Sequence, residues 1–149
     1  MKTYTSLLPL ALALTVASLA GPRPVVLAAG PFRVVVNASN PVSSMSRDEV
    51  SRLFLKKGNA WPNGQAAQPV DLSKDSATRK AFSRTVLGRD VAAVESYWQQ
   101  AIFSGRAVPP AEKGSDAEVM AFVRANPGAI GYVSGTGDLG SSLKELAVN

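Results

Sequence analysis

The sequence predicts an α/β fold, a three-layer sandwich with a mixed, largely parallel sheet. Two observations lead to this class. Short apolar or β-branched runs at 32–37, 68–72 and 129–133 have the length and composition of buried strands. Between them lie segments whose apolar residues recur at three- and four-residue spacing, which is the pattern of amphipathic helices. Strands that alternate with helices favour crossover connections and hence parallel neighbours.

The first predicted strand is Phe32 to Asn37, and a loop follows it. Ser46 to Glu49 then matches the capping-box pattern that begins a helix. The cations Lys56 and Lys57 suit the end of this helix, and Gly58 is the residue expected to stop it.

The second predicted strand, Gln68 to Leu72, is followed by a turn rich in Ser and Asp. A helix is predicted from about Ser76 to Leu87, ended by Gly88. Its basic residues are expected to face away from the apolar stripe; they are Arg79, Lys80 and Arg84.

Asp90 is the predicted cap of a third helix. The stretch from Phe103 to Lys113 contains Gly105, Pro109 and Pro110, and it is expected to be an irregular crossing. The apolar residues at helical spacing predict a buried stripe on the third helix, made of Val91, Val94, Tyr97, Trp98 and Ile102.

The last part of the chain predicts one more helix and a central strand. Ser115 to Glu118 repeats the capping-box pattern, and the helix is expected to end near Asn126. Ala129 to Val133 is almost entirely apolar, which is typical of a strand in the middle of a sheet. Leu143 to Val148 fits either a final strand or a short helix.

The N-terminal residues predict export. Lys2 precedes an apolar run from Leu7 to Ala20 that is too short for a membrane span and is followed by small residues. An uncleaved anchor is the alternative, but prolines interrupt the run early. We therefore expect a signal peptide and leader at 1–29, a single domain at 30–149, and a periplasmic or secreted protein without stable membrane insertion. Cleavage is compatible with Ala20, Ala28 or Ala29.

Composition excludes several kinds of chemistry. The sequence contains no Cys and no His, which removes Ser-His-Asp and Cys-His catalysis, disulfides and His-ligated zinc. No pair of carboxylates suggests a catalytic or metal-binding couple, so we expect no enzyme, no metal and no cofactor. Without the expected signal peptide and leader, which contain Lys2 and Arg23, the formal charge of the protein falls from +5 to +3. The cations are scattered along helices, which does not favour nucleic acid.

The segment from Val70 to Phe82 is the candidate functional stretch. A strand leads through a turn rich in Ser, Asp and Thr into a helix whose first turn contains Thr78 and Arg79. Free N–H groups at a helix start attract anions, and hydroxyl groups with a nearby cation can complete a phosphate pocket. The alternative is that Asp75 or Ser76 only caps the helix.

Three blocks of the sequence carry a resemblance: Ser46 to Trp61, Val70 to Phe82, and Gly114 to Val133 with its Pro-Gly-Ala-Ile-Gly-Tyr-Val run. In order and spacing they resemble the phosphate ABC transporter substrate-binding proteins, the PstS-like members of the type II periplasmic-binding fold. The resemblance starts near Phe32 and implies that the chain corresponds to a single lobe of that fold.

The resemblance implies a phosphate site at the second block. The family's Ser-Gly-Thr turn matches Ser76-Ala77-Thr78, so Ala77 replaces the glycine, and Asp71 and Leu72 lie where the family has an arginine. The ligand-binding residues implied are Ser73, Ser76, Ala77 and Thr78 as donors and Arg79 as the charge.

The resemblance therefore implies an exported, non-enzymatic module that binds phosphate or a similar oxyanion and is linked to phosphate ABC transport. Its implied partners are an ABC transporter permease or a second chain that completes the cleft. The alternative is a single-lobe interaction or structural protein of the cell envelope that has lost anion binding.

Overall fold

The computed structural model describes residues 30–149. This part of the chain contains seven short strands, four helices and one π-helical turn, joined by loops. The expected signal peptide at 1–29 lies outside the described residues. The strands are β1 Phe32–Asn37, β2 Ser44–Met45, β3 Gln68–Leu72, β4 Ala111–Lys113, β5 Ala129–Ser134, β6 Leu143–Glu145 and β7 Ala147–Val148. The helices are α1 Arg47–Phe54, α2 Ala77–Phe82, α3 Val91–Phe103 and α4 Asp116–Ala125, and the π-helical turn is Ser83–Leu87.

Five strands form one mixed sheet in the order β4-β3-β5-β1-β6. Strand β3 is parallel to both β4 and β5, whereas β1 is antiparallel to β5 and to β6. Four of the five strands therefore point the same way, which confirms the mixed, largely parallel sheet. Strand β5 lies in the middle, as predicted, and β2 pairs with β7 in a separate parallel pair.

Helices cover both faces of the sheet, which confirms the three layers. Helix α4 contacts β1, β3 and β5 on one face. It approaches closely because Gly131 has no side chain: a Cβ there would lie 2.7 Å from Val119 Cγ1 and 2.9 Å from Val70 Cγ1. Real Cβ atoms essentially never come that close to another heavy atom, so Gly131 sets the spacing between this helix and the sheet.

An aromatic cluster fills the space under α1, α2 and the π-helical turn. The rings of Phe82 and Tyr132 are stacked with centroids 3.8 Å apart and an interplanar angle of 6°, and Phe54 lies 4.7 Å from Phe82. All three residues are at most 1% exposed. Burial of such large rings stabilises the layer by about 1.5–3 kcal/mol for each side chain.

The predicted helix starts are confirmed, but one predicted helix end is wrong. Ser46 and Glu49 form a complete capping box. Helix α1 ends at Phe54, and the residue with left-handed φ is Lys56 at 51°, not Gly58. The N–H of Lys56 bonds to Leu53 O and that of Lys57 to Arg52 O, which closes a Schellman motif two residues before the glycine.

Two predictions for the region from α3 to β4 are also corrected. Ile102 is 52% exposed, because the buried stripe of α3 runs through Val94, Trp98 and Ala101 instead. The expected irregular crossing ends in a strand, β4, which pairs with β3 through Val70 and Ala111. The segment Leu143 to Val148, for which the sequence allowed a final strand or a short helix, forms two strands, β6 and β7.

Candidate functional site

The turn between β3 and α2, residues 73–78, is held by backbone hydrogen bonds and is called the α2 turn here. The N–H of Ser73 donates to Lys113 O of the neighbouring strand at 2.9 Å, and the N–H of Ser76 donates to Ser73 O at 3.0 Å. Ser76 is the N-cap of α2, and its Oγ accepts from the N–H of Arg79 at 3.3 Å. The local sequence therefore folds as a capped helix start directly after a parallel strand.

Two backbone donors remain at this helix start. The N–H of Arg79 is taken by Ser76 Oγ and that of Lys80 by Ser76 O. The N–H groups of Ala77 and Thr78 have no acceptor within residues 30–149. Ala77 is exposed and Thr78 is half-buried. Since α2 continues directly into the π-helical turn, this helix start carries the partial positive charge of a segment that ends at Leu87.

The Arg79 side chain faces the sheet, contrary to the prediction that it faces away with Lys80 and Arg84. It is 4% exposed, and its Nη1 lies 2.9 Å from Asp71 Oδ1 and 2.8 Å from Leu72 O. Its Nε is buried without an acceptor within the described residues. The reason is Asp71, which β3 places on the α2 side of the sheet and which needs a cation in its buried position.

Tyr132 of β5 is the third member of this cluster, and sequence reasoning did not identify it as a polar contact. Its hydroxyl donates to Asp71 Oδ1 at 2.5 Å and accepts from the N–H of Leu72 at 3.2 Å. We call Asp71, Arg79 and Tyr132 the Asp71 cluster. The signal for it was an acid inside the buried part of strand β3, in a register that places it on the side of the following helix.

Burial dominates the electrostatics of the Asp71 cluster. Loss of hydration raises the pKa of Asp71 from 3.8 to about 6, although Arg79 and the Tyr132 hydroxyl both lower it and the Glu112 charge raises it. Burial and the neighbouring Asp71 charge raise the pKa of Tyr132 well above its usual range. The cost of dehydrating the carboxylate therefore outweighs its attraction to Arg79, which is common for buried ion pairs.

A cleft of about 400 Å³ opens beside the Asp71 cluster. Asp71 and Arg79 both contribute to it, whereas Ser73, Ser76, Ala77 and Thr78 do not line it. The structure thus brings Arg79 together with Asp71, and it separates Arg79 from the other residues predicted for ligand binding. The lining consists of Asp71, Lys74, Arg79, Glu95, Trp98, Gln99, Ile102, Pro109, Pro110 and Glu112.

Two further features concern the described part of the chain. Residues 30–149 contain no group of three or more acidic side chains arranged to hold a metal ion. None of the helices in this range combines the length and the apolar character required to cross a bilayer.

Comparison with known proteins identifies the fold. A phosphate transport receptor of the ABC type from Vibrio cholerae is 20% identical with a TM-score of 0.60; the match covers 79% of this chain and 46% of that one. A protein of Clostridium perfringens described as a phosphate ABC transporter substrate-binding protein, solved with bound phosphate, is 19% identical with a TM-score of 0.61, covering 79% and 44%. PstS from Borrelia burgdorferi is 11% identical with a TM-score of 0.60, covering 80% and 47%.

These matches confirm the resemblance predicted from the three sequence blocks at the level of the fold. The chain spans less than half the length of each of these structures. Among curated protein sequences, none matches it. The family model described as "PBP superfamily domain" matches residues 16–147, nearly the whole sequence. The chain therefore belongs to the family of PBP superfamily domains.

Proposed function

We propose that this protein is an exported, non-enzymatic solute-binding module whose α2 turn binds phosphate or a similar small oxyanion. The observation that carries the proposal is the pair of free N–H groups of Ala77 and Thr78 at a capped helix start. Such donors, together with the helix dipole, favour a negatively charged ligand. The fold shared with phosphate-binding structures supports the choice of anion.

The proposed contacts differ in strength. The hydroxyl groups of Ser73, Ser76 and Thr78 and the N–H of Ala77 supply direct donors. Arg79 adds little net charge, because its guanidinium is paired with Asp71 at 2.9 Å. We expect weak binding by this chain alone, since an open turn leaves the anion in water, where salt and solvent screen the contacts.

A second surface would strengthen the site. We propose that a second chain or an ABC transporter permease covers the α2 turn and links the module to phosphate transport in the periplasm or outside the cell. The expected signal peptide at 1–29 supports export.

Calorimetric titration with inorganic phosphate tests the anion site. We expect measurable heat at millimolar phosphate, reduced by Ser76→Ala and by Thr78→Ala. Thr85→Ala is the matched control, because Thr85 is an exposed threonine later in the same helical segment. Absence of heat from the unmodified protein at millimolar phosphate would rule out autonomous binding.

One observation favours a different function. Asp71 neutralises Arg79, and among residues 30–149 no other arginine side chain is buried. A single-lobe interaction or structural protein of the cell envelope fits such a neutral site. That function predicts capture of the same protein partner from an envelope extract with and without phosphate, whereas phosphate binding without any captured partner contradicts it.

A further inference from the structure

The large apolar side chains that face water lie together in one segment of the described chain. Within residues 30–149 they are Ile102 at 52% exposed, Phe103 at 96% and Val108 at 63%. All three lie between the last turn of α3 and the start of β4, and we call them the Phe103 patch. An aromatic ring left in water forgoes the free energy of burial, and a contiguous apolar patch on a protein surface marks an interaction site.

The Phe103 patch borders the cleft of about 400 Å³ beside the Asp71 cluster. Ile102 belongs to both, and its neighbour along the chain is Phe103. Val108 likewise directly precedes Pro109, which lines the cleft. The apolar walls of the cleft consist of Trp98, Ile102, Pro109 and Pro110. The same surface therefore presents an exposed phenyl ring and, next to it, an apolar cleft.

The charges beside these two features are opposite in sign. Arg106, three residues after Phe103, is exposed, and its Nε donates to Ser104 Oγ at 2.9 Å. Glu112 lines the cleft and is exposed as well. Neither charge has an ion-pair partner among residues 30–149. A cation beside the ring and an anion beside the cleft make this surface complementary in charge to a second copy of itself.

A phenyl ring also suits the cleft in size and chemistry. A volume of about 400 Å³ lies in the range of sites that enclose a small molecule, so one aromatic side chain has room there. Arg79 belongs to the lining, and no ring of the described residues lies over its guanidinium. A planar guanidinium packs favourably on the face of an aromatic ring.

We propose that a second copy of this chain docks on this surface, with the Phe103 ring of each copy in the cleft of the other and Arg106 of each copy beside Glu112 of the other. The interface is isologous, because each copy gives and receives the same contacts. The proposal does not depend on anion binding at the α2 turn, since the Ser and Thr residues of that turn lie outside the cleft lining. The dimer therefore forms without phosphate.

Sedimentation equilibrium of the mature protein without phosphate tests the dimer. Three apolar side chains and one cleft per copy form a small interface, so we expect a weak dimer with a Kd on the order of 10–100 μM. Phe103→Ser should raise this Kd at least about tenfold and leave the fold intact, because the ring is exposed in the single copy. A protein that stays monomeric up to about 1 mM, or that associates equally well with Phe103→Ser, overturns the proposal.

Charge reversal tests the arrangement of the two copies. Arg106→Glu and Glu112→Arg should each weaken association several-fold, because each brings like charges together, and the double variant should restore it. Arg124→Glu is the matched control, since Arg124 is exposed in the last turn of α4 on the other face of the sheet. It should leave the Kd unchanged. Failure of the double variant to restore association, or an equal loss from Arg124→Glu, contradicts the proposed contacts.

The two tryptophans of the sequence locate the contact by NMR. Trp98 lines the cleft, whereas the indole N–H of Trp61 is buried and donates to Gly128 O at 2.9 Å. As the protein concentration rises through the Kd, the Phe103 ring of the second copy should shift the Trp98 indole resonance and leave that of Trp61 in place. A dimer that forms without a shift of Trp98 contradicts docking at the cleft.

A lipid surface is the other class of partner for an exposed phenyl ring. The second copy is favoured because an anionic membrane would repel the Glu112 carboxylate next to the patch. Co-sedimentation with vesicles of phosphatidylethanolamine and phosphatidylglycerol separates the two. Vesicle binding that Phe103→Ser abolishes, by a protein that remains monomeric in solution, assigns the patch to a membrane and overturns the proposal. A dimer that leaves the vesicles in the supernatant supports it.

Discussion

The starts of α2 and α4 are two versions of the same local structure. Each follows a parallel strand, β3 or β4, and each is capped by a serine whose Oγ accepts from the N–H three residues later. That third residue is Arg79 in α2 and Glu118 in α4. Glu118 is exposed and accepts from the N–H of Gly114 at 2.8 Å, whereas Arg79 is buried beneath its helix.

The difference shows where each helix start obtains negative charge. Helix α4 has Asp116 and Glu118 in its first turn, and α1 has Asp48 and Glu49. Helix α3 has a carboxylate as its cap, from Asp90. Helix α2 has no acid in its first turn and a neutral cap. Of the four described helices, α2 alone has no acid either at its cap or in its first turn, which agrees with the proposed anion site.

The largest difference is expected from removing the charge at the third helical position. Arg79→Met leaves Asp71 buried without its cation, and we expect it to lower the free energy of unfolding by about 3–5 kcal/mol near neutral pH. Glu118→Gln, at the same position of α4, should cost about 1 kcal/mol or less, because Glu118 is in water. Urea denaturation measures both. Equal losses would show that the two helix starts do not differ in the way described.

The pH dependence of stability should report the raised pKa of Asp71 beneath α2. Its pKa is raised in the folded state, so the folded chain binds more protons than the unfolded chain between pH 3.8 and about 6. Its contribution to stability is therefore complete below the unfolded pKa and lost as the pH rises through about 6, on the order of 3 kcal/mol. Denaturation of the unmodified protein and of Asp71→Asn should show a difference that changes with pH over this interval; a constant difference would contradict the raised pKa.

Two hydroxyl groups on β5 allow a finer comparison. Tyr132 donates to Asp71 beneath α2, and Ser134 donates to Asp116 at the start of α4, each at 2.5 Å. Tyr132→Phe keeps the ring stacking but removes one of the two donors to Asp71 Oδ1 and leaves the N–H of Leu72 without this acceptor, at a cost of about 1–3 kcal/mol. Ser134→Ala should cost less, because Ser134 is only half-buried and water can replace it. A larger loss from Ser134→Ala would reverse the comparison.

The smallest expected effect comes from giving α2 an acid of its own. Ala77→Glu places a carboxylate at the first helical position and should stabilise the protein by about 0.3–1 kcal/mol. It should also remove any stabilisation by phosphate, since the new charge repels the anion. Ala117→Glu in α4 is the control, because that exposed position lies in a turn that is already acidic. Thermal melts with and without phosphate measure both effects, and phosphate stabilisation that survives Ala77→Glu would argue against binding at this turn.

Much of the fold was predictable because its signals are local. The capping patterns at Ser46 and Ser115 and the serine cap at Ser76 depend on residues within one helical turn. The β-branched run of β1 and the apolar run of β5 likewise predict that these strands are buried. Strand β4 has no such signal: it is three residues long and exposed or half-exposed, and only its pairing with β3 makes it a strand.

The candidate site was less predictable because it depends on the face of the sheet or helix on which each side chain lies. The sequence places Asp71 and Arg79 close together along the chain, but only the register of β3 shows that both face the same interior. Tyr132 joins them from a strand 61 residues away from Asp71 in the sequence. A charged residue on a helix is normally solvated, and the exception arises here from the buried acid on the neighbouring strand.

Strand β5 ties the two faces of the sheet together through two consecutive residues. Gly131 fixes how near α4 can come on one face, and Tyr132 holds the Asp71 carboxylate on the other. Any change that pushes β5 away from Val119 must also move the Tyr132 hydroxyl relative to Asp71. The geometry of the cleft therefore depends on packing on the opposite side of the sheet, so substitutions there can change the cleft without changing a lining residue.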